Sequence, residues 1–399
     1  MNDAPVYLDW NATTPVGPEA VAEMLDTMRR AWANPSSTHA PGQAARRVLV
    51  DARARVAGFL GALPAELVFT SGATEANHHA VLGALAAGRG SDRQRWVLSA
   101  VEHPGLLALA DRLQAEGTPV DRIPVDGQGR LDLAAAQALI GPDVALVSVM
   151  AANNETGVLM PVAEVAALAH ARGARLHVDA TQGLGKQPLS FAESGADLMS
   201  VSAHKIGGPK GVGALLLRKG QPLVPLIAGR QERQRRGGTE NLPAIAGFGA
   251  ACERTAATLG DDLEAMARLT RRLEQGLLQA LPGTRVFGAG AERLPNTLCV
   301  SFAGLDAERA LSRLERAGVI ASSGAACSAG ATQPSHVLLA MGFDAVAARS
   351  GVRFSLGRGS TAQDIERAIA AAARAIGPLL QEARTDTHAA APADTRTTA

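Results

Sequence analysis

Residues 176–205 read LHVDATQGLGKQPLSFAESGADLMSVSAHK, and this stretch decides the fold. It holds two short apolar runs, 176–179 and 198–202, and polar residues stand where each run ends. Short apolar runs bounded by turn residues are typical of strands buried on both faces. Similar runs occur at 68–70, 96–98, 145–150 and 213–217. Because segments with helical spacing, such as 162–171, separate them, the pattern predicts an α/β domain with a largely parallel sheet.

The pattern changes after about Cys252. Leucine and methionine recur at helical spacing over 261–281 and predict a long helix there. The segments that follow predict a smaller α+β domain, with strands at 297–302, 319–322 and 352–355 and a last helix at 362–384 that Pro378 kinks.

These patterns together define three parts of the chain. We predict a large domain at 16–257 and a small domain formed by 1–15 and 258–384. Residues 385–399 show no periodicity, so we predict a disordered tail there.

Composition and charge exclude several classes of protein. The formal net charge of +1 argues against a general nucleic-acid or anionic-membrane surface. No run of about 20 apolar residues could span a bilayer, and the start MNDAPVYLDW does not resemble a secretory signal. We therefore expect a cytoplasmic protein without nucleic-acid or membrane partners. The three cysteines are widely spaced, which argues against a zinc site or a disulfide framework.

The polar residues after the two apolar runs are candidate site residues. Asp179 follows the first run, and Ser202, His204 and Lys205 end the second. Ligands of such sheets bind just beyond the carboxyl ends of the strands. A lysine there could form a Schiff base with an aldehyde cofactor, and the carboxylate could pair with a pyridinium nitrogen. The plainer interpretations are a surface lysine and an aspartate that caps the next helix.

Two further motifs follow predicted strands. The run FTSGATE at 69–75 predicts a strand, a tight turn and a helix start, whose amides and Thr74 hydroxyl could bind a phosphate. His103, after the run at 96–98, could stack on a flat cofactor and exchange protons near neutral pH. A plain helix start and a structural histidine are the alternatives.

Two candidates lie in the predicted small domain. Cys327 stands in SSGAACSAG, residues 322–330, where small residues leave the backbone free and the thiol accessible. Cys252 and Cys299 fit buried, inert thiols instead. Arg353, near a predicted strand, could clamp a carboxylate with two hydrogen bonds, although a surface ion pair is the commoner arrangement.

Taken together, these motifs resemble the cysteine desulfurases of the NifS/IscS type, within the class V aminotransferase group of fold-type I pyridoxal-phosphate enzymes. The strings that carry the resemblance come in the family's order and cover nearly the whole chain: YLDWNATTP at 7–15, NPSS at 34–37, TSGATE at 70–75, EHP at 102–104, NNETG at 153–157, VDATQ at 178–182, HK at 204–205, GGTEN at 237–241, SSGAAC at 322–327 and RFSLGR at 353–358. The run SSGAAC is similar to the group I enzymes.

The resemblance implies a mainly parallel seven-stranded sheet in the large domain, a smaller α+β domain, and a homodimer. It assigns catalysis to Lys205, His103 and Cys327. The residues that it implies for holding pyridoxal 5'-phosphate are Lys205, Ala73, Thr74, His103, Asn154, Asp179, Gln182, Ser202, His204 and, from the partner subunit, Thr239. Asn34, Asn154 and Arg353 are implied to bind the substrate, L-cysteine.

The implied reaction converts L-cysteine to L-alanine and leaves a persulfide on Cys327. The sulfur would pass to an iron–sulfur scaffold protein, for general or nitrogenase clusters, with Cys327 also as a transient iron–sulfur ligand. The chain departs from the family at ANHH, residues 76–79, at Gly208 and at 228–230, and beside Cys327 at Ala325 and Ser328.

Two alternatives stay open. Another class V reaction, such as selenocysteine lysis or transamination, uses the same cofactor residues. A catalytically silent adaptor or nucleic-acid binder would use the arginines at 230–236, although that segment runs directly into Thr239.

Overall fold

The computed structural model describes residues 4–324 and 333–389. The helices of these residues are α1 (Pro18–Arg30), α2 (Ala40–Phe59), α3 (Ala73–Ala87), α4 (Pro104–Ala115), α5 (Leu133–Leu139), α6 (Val162–Ala171), α7 (Gln231–Gln234), α8 (Leu242–Ala280), α9 (Ala307–Arg316), α10 (His336–Ala340), α11 (Ala345–Arg349) and α12 (Ala362–Ala389). The strands are β1 (Val6–Tyr7), β2 (Leu67–Thr70), β3 (Arg95–Ser99), β4 (Val120–Ile123), β5 (Val144–Met150), β6 (Arg175–Asp179), β7 (Leu198–Ser202), β8 (Gly213–Leu217), β9 (Arg285–Val286), β10 (Thr297–Ser301), β11 (Val319–Ile320), β12 (Ser322–Ser323) and β13 (Val352–Ser355).

Seven of the strands form the main sheet, in the order β2-β8-β7-β6-β5-β3-β4. The strands from β7 to β4 pair in parallel, and β8 runs antiparallel to both of its neighbours. Strands β5, β7 and β8 are buried along their whole length, as expected for a sheet with helices on both faces. The predicted fold class, with its seven-stranded and mainly parallel sheet, is confirmed.

The edge strand β4 has no counterpart among the apolar runs of the sequence. Its residues read VDRI, and the polar pair Asp121 and Arg122 interrupts the apolar pattern. Pairing with β3 on one side only leaves part of this strand in solvent, so its sequence tolerates polar side chains. The other six strands could be predicted from the sequence, because burial produces short continuous apolar runs.

A second core, formed mainly by residues after 268, packs β10 and β13 against α9 and α12 and includes Val6 and Leu8 from the start of the chain. Strands β9, β10, β12 and β13 form an antiparallel sheet, and β1 pairs with β11. The single strand predicted at 319–322 is therefore wrong. The chain changes partner at Ala321, between β11 and β12, and so contributes to two sheets.

Helix α8 begins at Leu242, far before the predicted start at 261. Its first half is rich in alanine and glycine, so it lacks the leucine spacing that marks the second half. Gly247 lies against Met24 of α1, and Gly249 lies against Ala52 of α2. Close packing of small residues stabilises this half, and the helix runs across the domain boundary predicted at 257.

The last helix is also longer than predicted. Helix α12 continues through Pro378 to Ala389, so residues 385–389 of the predicted disordered tail are helical. Each residue added to the end of an existing helix forms one further backbone hydrogen bond, so the helix can extend without an apolar face. The rest of the tail, residues 390–399, lies outside the described residues.

Candidate active site

The carboxyl ends of β5, β6 and β7 open into a cavity of about 580 Å³. Ten of the residues named from the sequence line it: Ala73, Thr74, His103, Asn154, Asp179, Gln182, Ser202, His204, Lys205 and Arg353. This edge of a parallel sheet is where such folds bind ligands. The cavity therefore gathers most of the predicted site in one place.

Lys205 ends the single turn that follows β7. Its Nζ donates to the backbone carbonyl of Asn11 and, at 3.0 Å, to that of Ala12. His204, beside it, contacts the Thr13 hydroxyl through Nδ1 at 3.1 Å. Burial first, and then the charges of nearby lysines, lower the pKa of His204 to about 4. The imidazole is thus neutral at pH 7.

Asp179 stands at the end of β6 and is almost fully buried. Its Oδ2 accepts a hydrogen bond of 2.7 Å from Nδ2 of Asn77, and its Oδ1 accepts one of 3.0 Å from the Thr181 amide. A buried carboxylate is costly unless it is hydrogen-bonded or paired. These two donors hold Asp179 in one orientation at the wall of the cavity.

His103 caps the first turn of α4, and its Nδ1 accepts a hydrogen bond of 3.1 Å from the Gly105 amide. The proton of the neutral ring therefore sits on Nε2. Burial is the main cause that lowers the pKa of His103, with Asp179 opposing it and Lys205 and His336 adding to it. The ring is neutral at pH 7 and has its Nε2 proton available for exchange.

The start of α3 forms another part of the cavity. Gly72, Ala73 and Thr74 line it at the N-terminus of this helix, opposite the buried hydroxyl of Ser202. Helix N-termini favour anions because their amides are unsatisfied and the dipole is positive there. The cationic side chains Lys205 and Lys210 line the same cavity. This arrangement suits a phosphate group.

Arg353 lies on β13 and is buried. Its guanidinium donates to Asp9 Oδ1 at 2.6 Å and to the Asn154 carbonyl at 3.0 Å. The Arg353 side chain also lines the cavity, so it can bring positive charge to an anionic substrate while these bonds hold it in place.

Two of the predicted site residues, Asn34 and Thr239, do not line this cavity, and a third cannot be placed. Asn34 is exposed, and its Oδ1 accepts from the Ser36 amide at 2.8 Å. Thr239 is exposed in a neighbouring pocket that shares Ser71 and Gly211 with the cavity. Cys327 lies outside the described residues.

The segment that holds Cys327 is anchored beside the cavity at both described ends. On one side, Ser322 of β12 pairs with Arg353. On the other, the His336 ring contacts the Glu102 carbonyl through Nε2 at 3.0 Å, next to His103.

Glu155 contacts both ends of that segment. The Ser335 hydroxyl donates to its Oε2 at 2.5 Å, and Gly324 packs so closely that a Cβ there would meet the same oxygen at 2.2 Å. Burial raises the pKa of Glu155, and the charges of His336 and Arg353 and the Ser335 hydrogen bond oppose this.

The two described cysteines are inert. Cys252 and Cys299 are fully buried and free, and burial raises the pKa of both thiols well above their ordinary value. Since the thiolate is the nucleophile, neither is placed to attack a substrate. This agrees with the prediction that both are buried thiols.

Four buried polar atoms around the cavity have no hydrogen-bond partner within residues 4–324 and 333–389: Asn77 Oδ1, Asn154 Oδ1, Thr181 Oγ1 and Arg353 Nε. A buried polar atom without a partner costs about 1–3 kcal/mol. Their clustering at one cavity indicates that it receives a polar ligand rich in hydrogen-bonding groups.

Asn77, Asn11 and Lys186 were missed by the sequence reasoning. Asn77 is three residues after Thr74 on α3, so helical spacing from the TSGATE motif indicates its face. Lys186 is four residues after Gln182 in the turn that follows β6. Asn11 lies within the quoted run at 7–15, and its role depends on a contact with a distant part of the chain.

The sequence matches the family described as Aminotransferase class-V over residues 6–368. A cysteine desulfurase of Cereibacter sphaeroides is 50% identical over 365 residues, which cover 91% of this chain and 93% of that protein. Cysteine desulfurase NifS of Azotobacter vinelandii is 43% identical over 383 residues, which cover 96% of this chain and 94% of that protein.

Solved structures of NifS-like proteins are similar to this chain as well. One described as a NifS-like protein superposes with a TM-score of 0.88 at 34% identity, covering 94% of this chain and 99% of the other. A NifS-like protein from Rickettsia africae superposes with a TM-score of 0.84 at 31% identity, covering 94% of this chain and 99% of the other. In residues 4–324 and 333–389, no helix combines the length and hydropathy needed to cross a bilayer.

Proposed function

The chain belongs to the class V aminotransferase family and is a pyridoxal-phosphate-dependent cysteine desulfurase, and on this premise we propose the role of each site residue. The observation that carries the proposal is the cavity at the ends of β5, β6 and β7. There a lysine, a buried aspartate, a neutral histidine and a helix N-terminus face one space. Each of these groups matches one part of the cofactor.

The residues present fit pyridoxal phosphate. Lys205 would hold its aldehyde carbon and Asp179 its ring nitrogen, and the N-terminus of α3 with Thr74, Ser202 and His204 would hold its phosphate. Gln182 and Asn154 would contact the ring oxygen, and His103 would stack on the ring. When bound, the cofactor supplies a sink for the electrons that are released at the substrate Cα. The four unpartnered polar atoms described above would gain partners.

Arg353 and Asn154 would bind the carboxylate of L-cysteine. The bonds from Arg353 to Asp9 and to the Asn154 carbonyl hold the guanidinium in place before substrate arrives. Lys205 Nζ would then take the proton from the substrate Cα, and His103 Nε2 would exchange protons with the reacting groups.

Cys327 would accept the sulfur. Its thiolate attacks the sulfur of L-cysteine, so that an S–S bond forms and the Cβ–S bond breaks with its electron pair on carbon. Protonation of that carbon and return of a proton to Cα complete alanine, and Cys327 is left as a persulfide. Both described ends of the Cys327 segment lie beside the cavity, at Arg353 and at Glu102. The other two cysteines are buried and inert.

We further propose a homodimer. Thr239 is exposed outside the cavity of its own chain, where a second subunit could use it. Helix α1 and Trp32, two residues after its end, expose an apolar stripe: Val21, Leu25, Met28 and Trp32, the last 76% exposed. Large exposed apolar patches mark interaction sites. Asn34, two residues after Trp32, would then act near this interface.

The sulfur acceptor would be an iron–sulfur scaffold protein, with the reaction in the cytoplasm and Cys327 as a transient iron–sulfur ligand. The support is the similarity to the protein of Azotobacter vinelandii named cysteine desulfurase NifS. Loading the enzyme with cysteine labelled at sulfur and capturing the proteins that acquire label identifies the acceptor. Label on an iron–sulfur scaffold supports this assignment, and label only on other proteins contradicts it.

One experiment tests the function directly. Purified protein with bound cofactor should be yellow and should form alanine and enzyme-bound persulfide from L-cysteine. Comparing alanine formation from L-cysteine and L-selenocysteine separates the desulfurase from a selenocysteine lyase. A protein that stays colourless with pyridoxal phosphate, or that uses only selenocysteine, would contradict the proposal.

A further inference from the structure

Lys186 is a buried lysine that the proposed reaction does not use. It is 5% exposed, in a chain where only four of the 39 basic residues are lysines. Burial first, and then the charges of Lys205 and Arg353, hold the pKa of Lys186 well below its ordinary range. A buried amine is costly unless its hydrogen-bond partners are fixed. Its position in the site therefore calls for an explanation.

The contacts of Lys186 are with residues of the cofactor cavity. Its Nζ donates to Gln182 Oε1 at 2.7 Å and to Asn11 Oδ1 at 2.9 Å. The amine has enough N–H groups to donate to both oxygens whether or not it carries the extra proton, so both amides present their oxygen end to it. The Gln182 amide is thereby held in one of its two orientations.

The nitrogen end of Gln182 faces the other way. One N–H of Nε2 donates to the Asn11 carbonyl at 3.1 Å, and Gln182 lines the cavity. The second N–H is left for a group within the cavity. With Lys186 replaced by an apolar residue, the amide could turn over and present its oxygen instead.

Asn11 links this contact to the reacting lysine. Its carbonyl accepts from Gln182 Nε2 and from Lys205 Nζ, while its side chain receives hydrogen bonds from Lys186 and, at 3.1 Å, from Asn296. Its Nδ2 donates to Thr297 of β10 at 2.9 Å. The chain at residue 11 is thus fixed between the end of the main sheet and strand β10.

We propose that Lys186 is a positioning residue that holds the Gln182 amide with its nitrogen toward the cofactor's ring oxygen and holds Asn11 in place behind Lys205. This inference rests on the proposed function, since it concerns how the same site binds pyridoxal phosphate. Lys186 contacts neither cofactor nor substrate and acts through Gln182 and Asn11.

The test is the affinity of the apoprotein for pyridoxal phosphate, with the visible absorption band of the bound cofactor as a second readout. Lys186→Met should weaken cofactor binding about ten-fold, as expected for one misdirected buried hydrogen bond, and should shift the band. In Gln182→Leu the target of Lys186 is gone, so adding Lys186→Met should weaken binding by less than about two-fold more.

Lys219→Met is the matched control, because Lys219 is exposed and lies outside the cavity. It should bind cofactor as wild type does. If Lys186→Met does not fold, Lys186→Gln keeps one donor group and should show a smaller loss, between about two-fold and ten-fold.

Wild-type affinity and an unshifted band in either folded variant would overturn the inference. Fully additive losses in the double variant would overturn it too, because Lys186 would then act independently of Gln182. Wild-type protein that binds no cofactor would instead refute the proposed function, so the two failures are distinguishable.

Discussion

The two sides of the cavity differ in what holds their polar groups. The sheet wall consists of Asp179, Ser202 and Lys205, which follow directly from the ends of β6 and β7 within a seven-stranded sheet. The second wall is formed by Arg353 of β13. Side-chain contacts hold its guanidinium, through Asp9, and the described residues on either side of 325–332, through Glu155 and Glu102. The ends of β6 and β7 thus place the groups that we propose for the cofactor, and side-chain contacts hold the guanidinium that we propose for the substrate.

Replacing Lys205 tests the sheet wall and has the largest expected effect. Lys205→Ala should lower kcat for alanine formation by about 10⁴-fold, since both the cofactor's attachment point and the base at Cα are lost. Steady-state assays of alanine measure this. The exposed Lys219→Ala is the control, and a Lys205→Ala enzyme within ten-fold of wild type would exclude the assigned role.

Replacing Arg353 tests the second wall. Arg353→Lys keeps the charge but loses the planar group that bonds Asp9 and the Asn154 carbonyl together, so kcat/KM for cysteine should fall about 100-fold. Cofactor affinity should change little, because the sheet wall is intact. The same substitution at the exposed Arg349 serves as control. A loss of cofactor binding equal to the loss of kcat/KM would erase the distinction between the walls.

Replacing Asn77 tests what orients Asp179 in the sheet wall. Asn77→Ala removes the 2.7 Å hydrogen bond to Asp179 and leaves Thr181 as its remaining donor, so kcat should fall about ten-fold. The absorption of the bound cofactor should change as well, since Asp179 would turn. His78→Ala, on the next residue of α3, is the control. Unchanged kcat and absorption would show that Asn77 does not orient Asp179.

Replacing His79 should change the free energy of unfolding, and it has the smallest expected effect on function. Its ring is fully buried, neither nitrogen has a hydrogen-bond partner among the described residues, and burial lowers its pKa from 6.5 to about 4. The unfolded chain therefore binds a proton between pH 6.5 and 4 that the folded chain does not. The free energy of unfolding falls as pH falls through this window, by about 3 kcal/mol for this group.

His79→Leu removes that proton uptake. The variant should unfold with wild-type or greater stability at pH 7 and should retain about 3 kcal/mol more than wild type on going to pH 4. Urea unfolding at several pH values measures this, with His78→Leu as the control. An identical pH dependence in His79→Leu and wild type would contradict the assignment.

The same contrast between walls explains what could be predicted from the sequence. The strands at 198–202 and 213–217 were placed to the residue, because burial on both faces produces unbroken apolar runs. Asp179 and Lys205 followed from the ends of such runs. The start of α8 was missed, because Gly247 and Gly249 pack by being small and leave no apolar period.

Contacts between distant parts of the chain could not be predicted from apolar patterns in the sequence. Lys186 and Asn11 are 175 residues apart, and the hydrogen bond between them depends on where the folded chain places residue 11. The assignment of Thr239 rests on the resemblance and on a second subunit, which one chain does not contain. Cys327 likewise rests on the resemblance and on where β12 and α10 leave the ends of its segment.

The central claim is that the cofactor site and the sulfur acceptor are separable. Cys327→Ser tests it most directly, by measuring cofactor content and enzyme-bound persulfide in one sample after addition of L-cysteine. We predict wild-type cofactor content, a changed absorption spectrum on binding cysteine, and no persulfide. Persulfide or sulfide formation at the wild-type rate, or loss of the cofactor, would contradict it.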